Sequence, residues 1–454
     1  MDKEFVITYL KSRNYWWQTG TVDAADKGIT RHEYIIKIQE AMGLERIICL
    51  SGIRRCGKTT ILFQYIDDLL KTKEPEKIVY AKMDDLVGKI DNIHDILNTY
   101  QELTGIDPAR EAVYFFLDEI HVQKGWQLQL KFYIDAHAKC RFIISGSSKT
   151  LLYQDASESL AGRIRFIDVF PLTFREFLEF NNVDLAELPS RKPHMDSFEG
   201  MEKAYYSMLT HKHRLMFFLG QYFDTGGYPE WFKIKDMPAW QKTIVDDYFS
   251  LILFKDIVSV FKVKDPVLLD KLVRDIAALS TNRFTYKGLS ERLDVDRETL
   301  KLYLYYLQSS MMIFVADIYT SSKKAVEKRA KKLYFWEEGL RRALTLDRDD
   351  GKAAENTVAW HLIKKGRESK PFFEPYYWMN KHEVDFVYDA QVLIPVEVKY
   401  REQGSNADTQ GLIEFMDIND LDFGIVVTKD IFKKEKIGSN MVLFIPLWLF
   451  LLVV

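Results

Sequence analysis

The sequence predicts an α/β protein built on a parallel sheet with helices on both faces, followed by further mixed modules. Three observations predict it. Short apolar runs, RIICLSG, KIVYAKMDD, AVYFFLDE and RFIISGS, alternate with helical stretches from residue 31 onward. Each run is continuously apolar rather than alternating, as strands buried on both faces are. A glycine-containing loop leads from the first run straight into a helical pattern, the strand–loop–helix order of a crossover unit.

The elements follow in order. Residues 1–30 read as a polar and aromatic leader ending near Gly28. RHEYIIKIQEAM places Tyr34, Ile35 and Ile38 on one helical face. RIICLSG, the glycine loop and the helix ILFQYIDDLL come next, then the three further strands, and RIRFIDVFPL supplies a fifth. The first domain is therefore expected over residues 31–190. RKPHMDS, at 191–197, reads as a surface linker opening a helical segment over 191–265 that includes KTIVDDYFSLILFKDIVSVF. Short helices and two β-like runs around a cationic loop fill 266–335, and 336–454 returns to mixed α/β. At 454 residues, a prior of about 150 residues per domain suggests three domains.

Composition narrows the class. With 47% hydrophobic and 28% charged residues, and only 12 prolines and 22 glycines, a folded soluble chain is expected. The net charge of −3 gives no global footprint of a nucleic-acid binder and leaves a local basic patch open. Cys49, Cys56 and Cys140 are too few and too scattered for a disulfide framework or a zinc site, which fits a reducing, cytoplasmic setting. The opening MDKEFVITYLKSRNYWW has none of the features of a signal peptide. The apolar run at 441–454 falls short of the roughly 20 residues of a membrane helix. It reads as a buried final strand, with a tail anchor as the alternative, and no membrane partner is expected.

Gly52-Ile53-Arg54-Arg55-Cys56-Gly57-Lys58-Thr59, followed by Thr60, matches the phosphate-binding pattern G-x-x-x-x-G-K-[ST], with a strand before it and a helix after it. The glycines let successive N–H groups turn inward toward phosphate, and the following helix adds its positive end. Lys58 is expected to reach the β- and γ-phosphates of ATP, and the Thr59 hydroxyl to coordinate Mg²⁺. The apolar run ending in Asp118-Glu119 would deliver two carboxylates beside the phosphates. Asp118 would hold Mg²⁺ and Glu119 would polarise the attacking water.

On the stretches GIRRCGKTT, FFLDEIH, FIISGSS, SLAGRIRFIDVFPLTFREF, GGYPE and KLYFWEEGL, the chain resembles the AAA+ superfamily. More narrowly it resembles prokaryotic AAA+ ATPases that carry a C-terminal restriction-endonuclease-like domain. The resemblance runs from about Arg31 to the end. It implies an AAA+ core with a helical lid that works as a homo-oligomer. It implies Ser147 as the sensor after the fourth strand, against an ordinary strand-end serine. It implies Arg163 as an arginine finger acting on a neighbouring subunit, against a surface arginine. Where the family motif has an aspartate, this chain has Glu337, and that segment is read as structural.

Thr285–Leu293, a turn at Asp294-Val-Asp296 and the longer amphipathic RETLKLYLYYLQ form a helix-turn-helix pattern. A wing is expected after them, with Lys323, Lys324, Lys328, Arg329, Lys331 and Lys332 at its tip, where such lysines suit DNA phosphates. The Leu- and Tyr-rich second helix argues instead for packing. Farther on, Glu383-Val-Asp385 precedes Glu397-Val-Lys399. Positions i and i+2 of a strand share a face, so Glu397 and Lys399 point the same way, and a hairpin can bring Asp385 beside them. Glu355, on an upstream helix, could complete the set. Asp385 and Glu397 would then hold a divalent cation and Lys399 would activate water for phosphodiester cleavage. The bland reading is a charged strand edge. Two function classes remain: an ATPase coupled to cutting, moving along or remodelling DNA, or a nucleotide-gated switch or scaffold with an inactive nuclease-like module.

Overall fold

The computed structural model describes residues 1–146, 152, 159–188, 194–320, 329–345, 348–402 and 409–454. Two compact units emerge, Met1–Phe170 with Ser309–Met311, and Pro171–Gln308 with Met312–Val454.

The first unit is a five-stranded parallel sheet. Its strands are β1 (Ile47–Gly52), β2 (Ile78–Lys82), β3 (Tyr114–Asp118), β4 (Arg141–Gly146) and β5 (Ile164–Val169), in the order β2-β3-β4-β1-β5. All neighbours run parallel, so the carboxyl ends of β1, β3 and β4 meet at one edge. β1 is buried along its whole length, as its apolar sequence requires. Gly52 lies against Val169, whose carbonyl oxygen would sit 2.1 Å from any added Cβ. Helices pack on the sheet, among them α1 (Lys3–Arg13), α2 (His32–Met42), α3 (Lys58–Leu69), α4 (Ile93–Thr104) and α5 (Trp126–Asp135).

The leader differs from the sequence expectation. Val6, Tyr9 and Leu10 of α1 join the core beside Ile93, Ile96 and Leu97. Asn14 Nδ2 donates to the Tyr80 carbonyl at 3.0 Å, and the Tyr80 N–H donates back to Asn14 Oδ1 at 2.6 Å. The indole N–H groups of Trp16 and Trp17 donate to the Ile78 carbonyl at 3.0 and 2.9 Å. β2 is the edge strand, and these side chains satisfy backbone groups that an edge leaves open. Residues 1–30 therefore belong to the first unit, which ends at Phe170 rather than near residue 190.

The second unit holds two sheets. The smaller comprises β6 (Arg283–Phe284), β7 (Ile313–Ala316) and β8 (Lys331–Phe335) in the antiparallel order β6-β8-β7. Helices α6 (Pro266–Leu279), α7 (Tyr286–Leu293) and α8 (Arg297–Ser309) accompany it. Asp296 caps α8, accepting from the Glu298 and Thr299 N–H groups at 2.9 and 3.0 Å. Leu300, Tyr303, Leu304 and Leu307 of α8 are buried. Thr243–Phe249 and Leu251–Val258, read as helical, are π-helical.

Helix α9 (Asp350–Arg367) precedes the larger sheet. Its strands are β9 (Tyr376–Met379), β10 (Glu383–Asp389), β11 (Leu393–Lys399), β12 (Phe423–Thr428), β13 (Lys433–Ile437) and β14 (Asn440–Pro446), in the order β13-β14-β12-β11-β10-β9. β10 and β11 pair antiparallel, while β11–β12 and β12–β14 are parallel. Helix α10 (Gln410–Ile418) lies between β11 and β12 in the chain. The final apolar run is not one strand: it is β14 up to Pro446, then a buried helix, Leu447–Val453. No helix among the described residues is long and apolar enough to cross a membrane.

Candidate functional sites

The phosphate loop joins β1 to α3. Gly57 sits at φ 95°, a conformation that favours glycine, and begins the helix from its amino end. Lys58 is buried and folds back on the loop, donating to the carbonyls of Gly52 at 2.9 Å and Ile53 at 3.0 Å. Cys56 is buried, and burial raises its thiol pKa, so it fills space rather than reacts. Thr60 follows Thr59 on α3, and Arg55 takes a left-handed backbone at φ 68° within the loop.

Asp118 ends β3 fully buried and is surrounded by hydroxyl donors. Thr59 Oγ1 donates to its Oδ2 at 2.7 Å, Tyr80 Oη to the same oxygen at 3.0 Å, and Ser145 Oγ to Oδ1. The parallel register makes this meeting possible, because Lys82 pairs with Asp118 and Leu117 with Ile144. Thr59 and Asp118 supply hard oxygen donors of the kind Mg²⁺ prefers, so this pair fits a Mg–nucleotide. Glu119 adopts a left-handed backbone at φ 54°, and its N–H donates to Ser145 Oγ at 3.1 Å. Its Oε2 lies 3.3 Å from His121 Nδ1, yet both atoms are buried without a hydrogen-bond partner. A buried carboxylate oxygen with no hydrogen-bond partner, one residue beyond Asp118, suits a water-handling role.

Sequence reasoning missed three residues of this site. Ser145 is one; the expected sensor, Ser147, lies outside the described residues. Tyr80 is the second. The third is Arg31, 3% exposed, whose guanidinium donates to the carbonyls of Cys56 at 3.0 Å and Phe170 at 3.1 Å and lies 4.5 Å over the Tyr34 ring. It ties the loop to the end of β5. Arg163 stands at the opposite end of the sheet. Its carbonyl receives the N–H of Ile47, the first residue of β1, whereas the loop leaves from the last. The Arg163 side chain pairs with Asp135 at 2.8 Å and is 40% exposed.

The second cluster is in the second unit. Asp385 on β10 and Glu397 on β11 face each other: the Asp385 N–H donates to Glu397 Oε2 at 3.1 Å, and Lys399 pairs with Glu397 Oε1. Glu355 reaches in from α9 and accepts from Tyr334 Oη at 2.9 Å. The structure thus brings together all four residues singled out in the sequence. It also adds Lys332, which was expected at an exposed wing tip. Lys332 is buried in β8 and its Nζ lies 2.9 Å from Glu355 Oε1, 2.6 Å from Glu383 Oε1 and 2.8 Å from Asp385 Oδ1. Lys331 is likewise buried and pairs with Asp317. Lys323, Lys324 and Lys328 lie outside the described residues. Burial pushes Glu355 up to about 7 and Glu397 up to about 8. Asp385 is held below its ordinary value: burial opposes this, but Lys332 and Lys399 outweigh it.

The expected metal pair does not form an open cage. Asp385 Oδ2 accepts from the Val398 N–H at 3.0 Å, and its Oδ1 is taken by Lys332. Both Glu397 oxygens are engaged as well. Among the described residues, no group of three or more His, Cys, Asp and Glu side chains is arranged to hold a metal ion. Glu337 is structural, accepting from the N–H groups of Gly227 and, at 3.1 Å, Leu340.

Comparison with known proteins bears on the first site most directly. Residues 44–178 match the family model described as "AAA domain". Residues 217–351 and 350–450 match two domains of unknown function, DUF8612 and DUF4143. An uncharacterized protein of Haemophilus influenzae is 25% identical over 436 residues, covering 93% of this chain and 98% of its own. An uncharacterized protein of Methanocaldococcus jannaschii is 26% identical over 430 residues, covering 90% and 85%. Among solved structures, the Aeropyrum pernix ORC2 protein in its ADP form has a TM-score of 0.30 at 12% identity, covering 66% of this chain and 87% of that one. C. elegans PCH-2 has a TM-score of 0.28 at 12% identity, covering 53% and 62%. These scores are too low to bear on function. The match over residues 44–178 takes in the phosphate loop, Asp118, Glu119, Ser145 and Arg163, and the first unit thus carries an AAA-like domain.

Proposed function

We propose that this chain binds ATP with Mg²⁺ at the loop Gly52–Thr60 and hydrolyses it, and that it does so as a homo-oligomer whose turnover is coupled to action on DNA. The observation that carries the ATP reading is the meeting of Thr59 and Asp118 beside Lys58. Lys58 would exchange the Gly52 and Ile53 carbonyls for β- and γ-phosphate oxygens. Thr59 and Asp118 would hold Mg²⁺, which when bound offsets charge developing on the phosphates. Glu119 would take the attacking water into hydrogen bond with its unsatisfied oxygen. Lys58→Ala should abolish ATP binding. Glu119→Gln should bind ATP normally and lose at least about 100-fold in turnover, the usual scale of a positioned base. Parental turnover by Glu119→Gln would remove Glu119 from the reaction.

Action in trans is supported by the place of Arg163. The end of the sheet opposite the loop is out of reach of its own phosphates, so a finger there must serve a neighbour. Mixing Arg163→Ala with Lys58→Ala chains should restore part of the turnover that each lacks alone. Normal turnover by Arg163→Ala would rule the finger out.

The DNA reading is supported by the element order of the small sheet and its helices, which suits a winged helix, and by the β9–β12 order around Asp385, Glu397 and Lys399. It predicts that linear or branched DNA raises ATP turnover. A specific observation favours the second reading, a nucleotide-gated scaffold: Lys332 stands among the carboxylates that cleavage would require. Turnover indifferent to every DNA form would decide for the scaffold.

A further inference from the structure

The carboxylates Glu355, Glu383, Asp385 and Glu397 converge from a helix and two strands, on a sheet whose antiparallel hairpin and parallel crossover suit a metal-dependent nuclease. Such a site needs free carboxylate oxygens about 2.0–2.6 Å from one point. Here that point is taken. Three oxygens, one each from Glu355, Glu383 and Asp385, lie 2.6–2.9 Å from the Lys332 ammonium. Tyr334 Oη shares Glu355 Oε1 with Lys332, and the second oxygens of Asp385 and Glu383, with both of Glu397, are spoken for in turn. Asp385 Oδ2 has the Val398 N–H, Glu383 Oε2 has Arg283 at 2.9 Å, and Glu397 is divided between Lys399 and the Asp385 N–H. Lys332, Lys399 and Arg283 therefore set three positive charges against four carboxylates. A divalent cation entering the cluster would sit within a few ångströms of a buried ammonium, with no solvent between them to weaken the repulsion.

We propose that Lys332 is the resident cation of this cluster, taking the place a divalent metal would hold and fastening the small sheet to the large one. The fastening is not at one point only. Arg283 of β6 reaches Glu383 of β10, Tyr377 of β9 donates from its hydroxyl to the Ala330 carbonyl, and the Tyr319 N–H donates to the Tyr377 carbonyl at 2.7 Å. A lysine from β8 closing an acidic pocket on β10 and α9 is a structural joint built from the parts of a nuclease site. The joint stands independently of ATP turnover, and it leaves DNA binding or movement open while removing metal-dependent cleavage.

The test is Mn²⁺ binding by the full-length, nucleotide-free protein carrying Asp118→Asn, which takes the ATP-site carboxylate out of the measurement. Electron paramagnetic resonance titration should detect no saturable Mn²⁺ up to about 1 mM, a range in which an open carboxylate cage of this kind would fill. Lys332→Gln keeps a polar side chain, one atom shorter, and removes the charge. It should lower Tm by several degrees, and Mn²⁺ should restore much of that loss in a manner abolished by adding Asp385→Asn. Saturable Mn²⁺ binding by the Lys332 protein that disappears on Asp385→Asn would overturn the proposal. So would a Lys332→Gln protein with unchanged Tm. If Lys332→Gln does not fold, the titration of the Lys332 protein decides alone. ATP turnover of the chain with Asp118 intact, measured alongside, keeps a failed ATP site distinct from a failed joint.

Discussion

Glu337 lies fully buried, and burial pushes its carboxyl up to about 8. Between the ordinary carboxylate value and pH 8 the folded chain holds a proton that the unfolded chain releases. Stability from this group is thus complete in acid and is lost as pH rises through about 8, with a limiting slope of about 1.4 kcal/mol per pH unit. Glu337→Gln should flatten that slope, matching the parent near pH 5 and exceeding it near pH 8.5 in denaturant unfolding. An unchanged slope would move the proton elsewhere. At this scale the sequence was legible where chemistry is local. A loop that wraps phosphate must spell out its glycines, lysine and threonine in succession. Ser145, Tyr80 and Arg31 were not legible, since they reach Asp118 or the loop from distant segments. Ser145 and Ser147 stand two residues apart in FIISGSS, so sequence alone does not separate them. Lys332 hid in a run of cations that reads as a solvated tip, and its one signal was the apolar LYF immediately after it.

The leader and the final apolar run depart from the sequence expectation for element-level reasons. α1 places Val6, Tyr9 and Leu10 in the core, and the segment just beyond its carboxyl end covers the edge strand: Asn14 pairs with the Tyr80 backbone, and two tryptophans cap the Ile78 carbonyl. A leader can be recognised as part of a sheet only once the edge strand it covers is known. Asn14→Ala removes the side-chain partner of both backbone groups of Tyr80 and should cost about 1–3 kcal/mol, read from denaturant unfolding. Loss within a few tenths of a kcal/mol would mean that the edge is held by the tryptophans alone. The final run carried its correction in plain view. Pro446 cannot extend a sheet ladder, and the apolar stretch exceeds ordinary strand length, so a strand passing into a helix was the better reading. Gly52, by contrast, is fixed by contact as well as by motif. Gly52→Ala would drive a methyl into the Val169 carbonyl and should cost about 1–3 kcal/mol or more, alongside any loss of ATP binding.

For the whole molecule, the length prior suggested three domains, while the chain gathers into two units whose cores were predictable in kind and not in extent. Apolar runs identify strands well, but which neighbouring helices share their core depends on pairing across long sequence separations. The assembled state is the quantity that composition could not supply. If Arg163 serves a neighbour, the mass in solution should rise when ATP is added to Glu119→Gln, which binds without turning over, and the rise should be weaker with Arg163→Ala. A monomer under both conditions would end the case for action in trans.

Lys58 gives the phosphate loop an internal partner. Its ammonium holds two carbonyls at the strand end, and these contacts tie the loop's lysine to the backbone that leads into the loop. If the loop takes ATP as proposed, nucleotide capture is a replacement reaction rather than an addition. Calorimetry of ATP binding will report the difference between phosphate and carbonyl as partners for one cation, and so a smaller heat than the contacts of the loaded site would suggest.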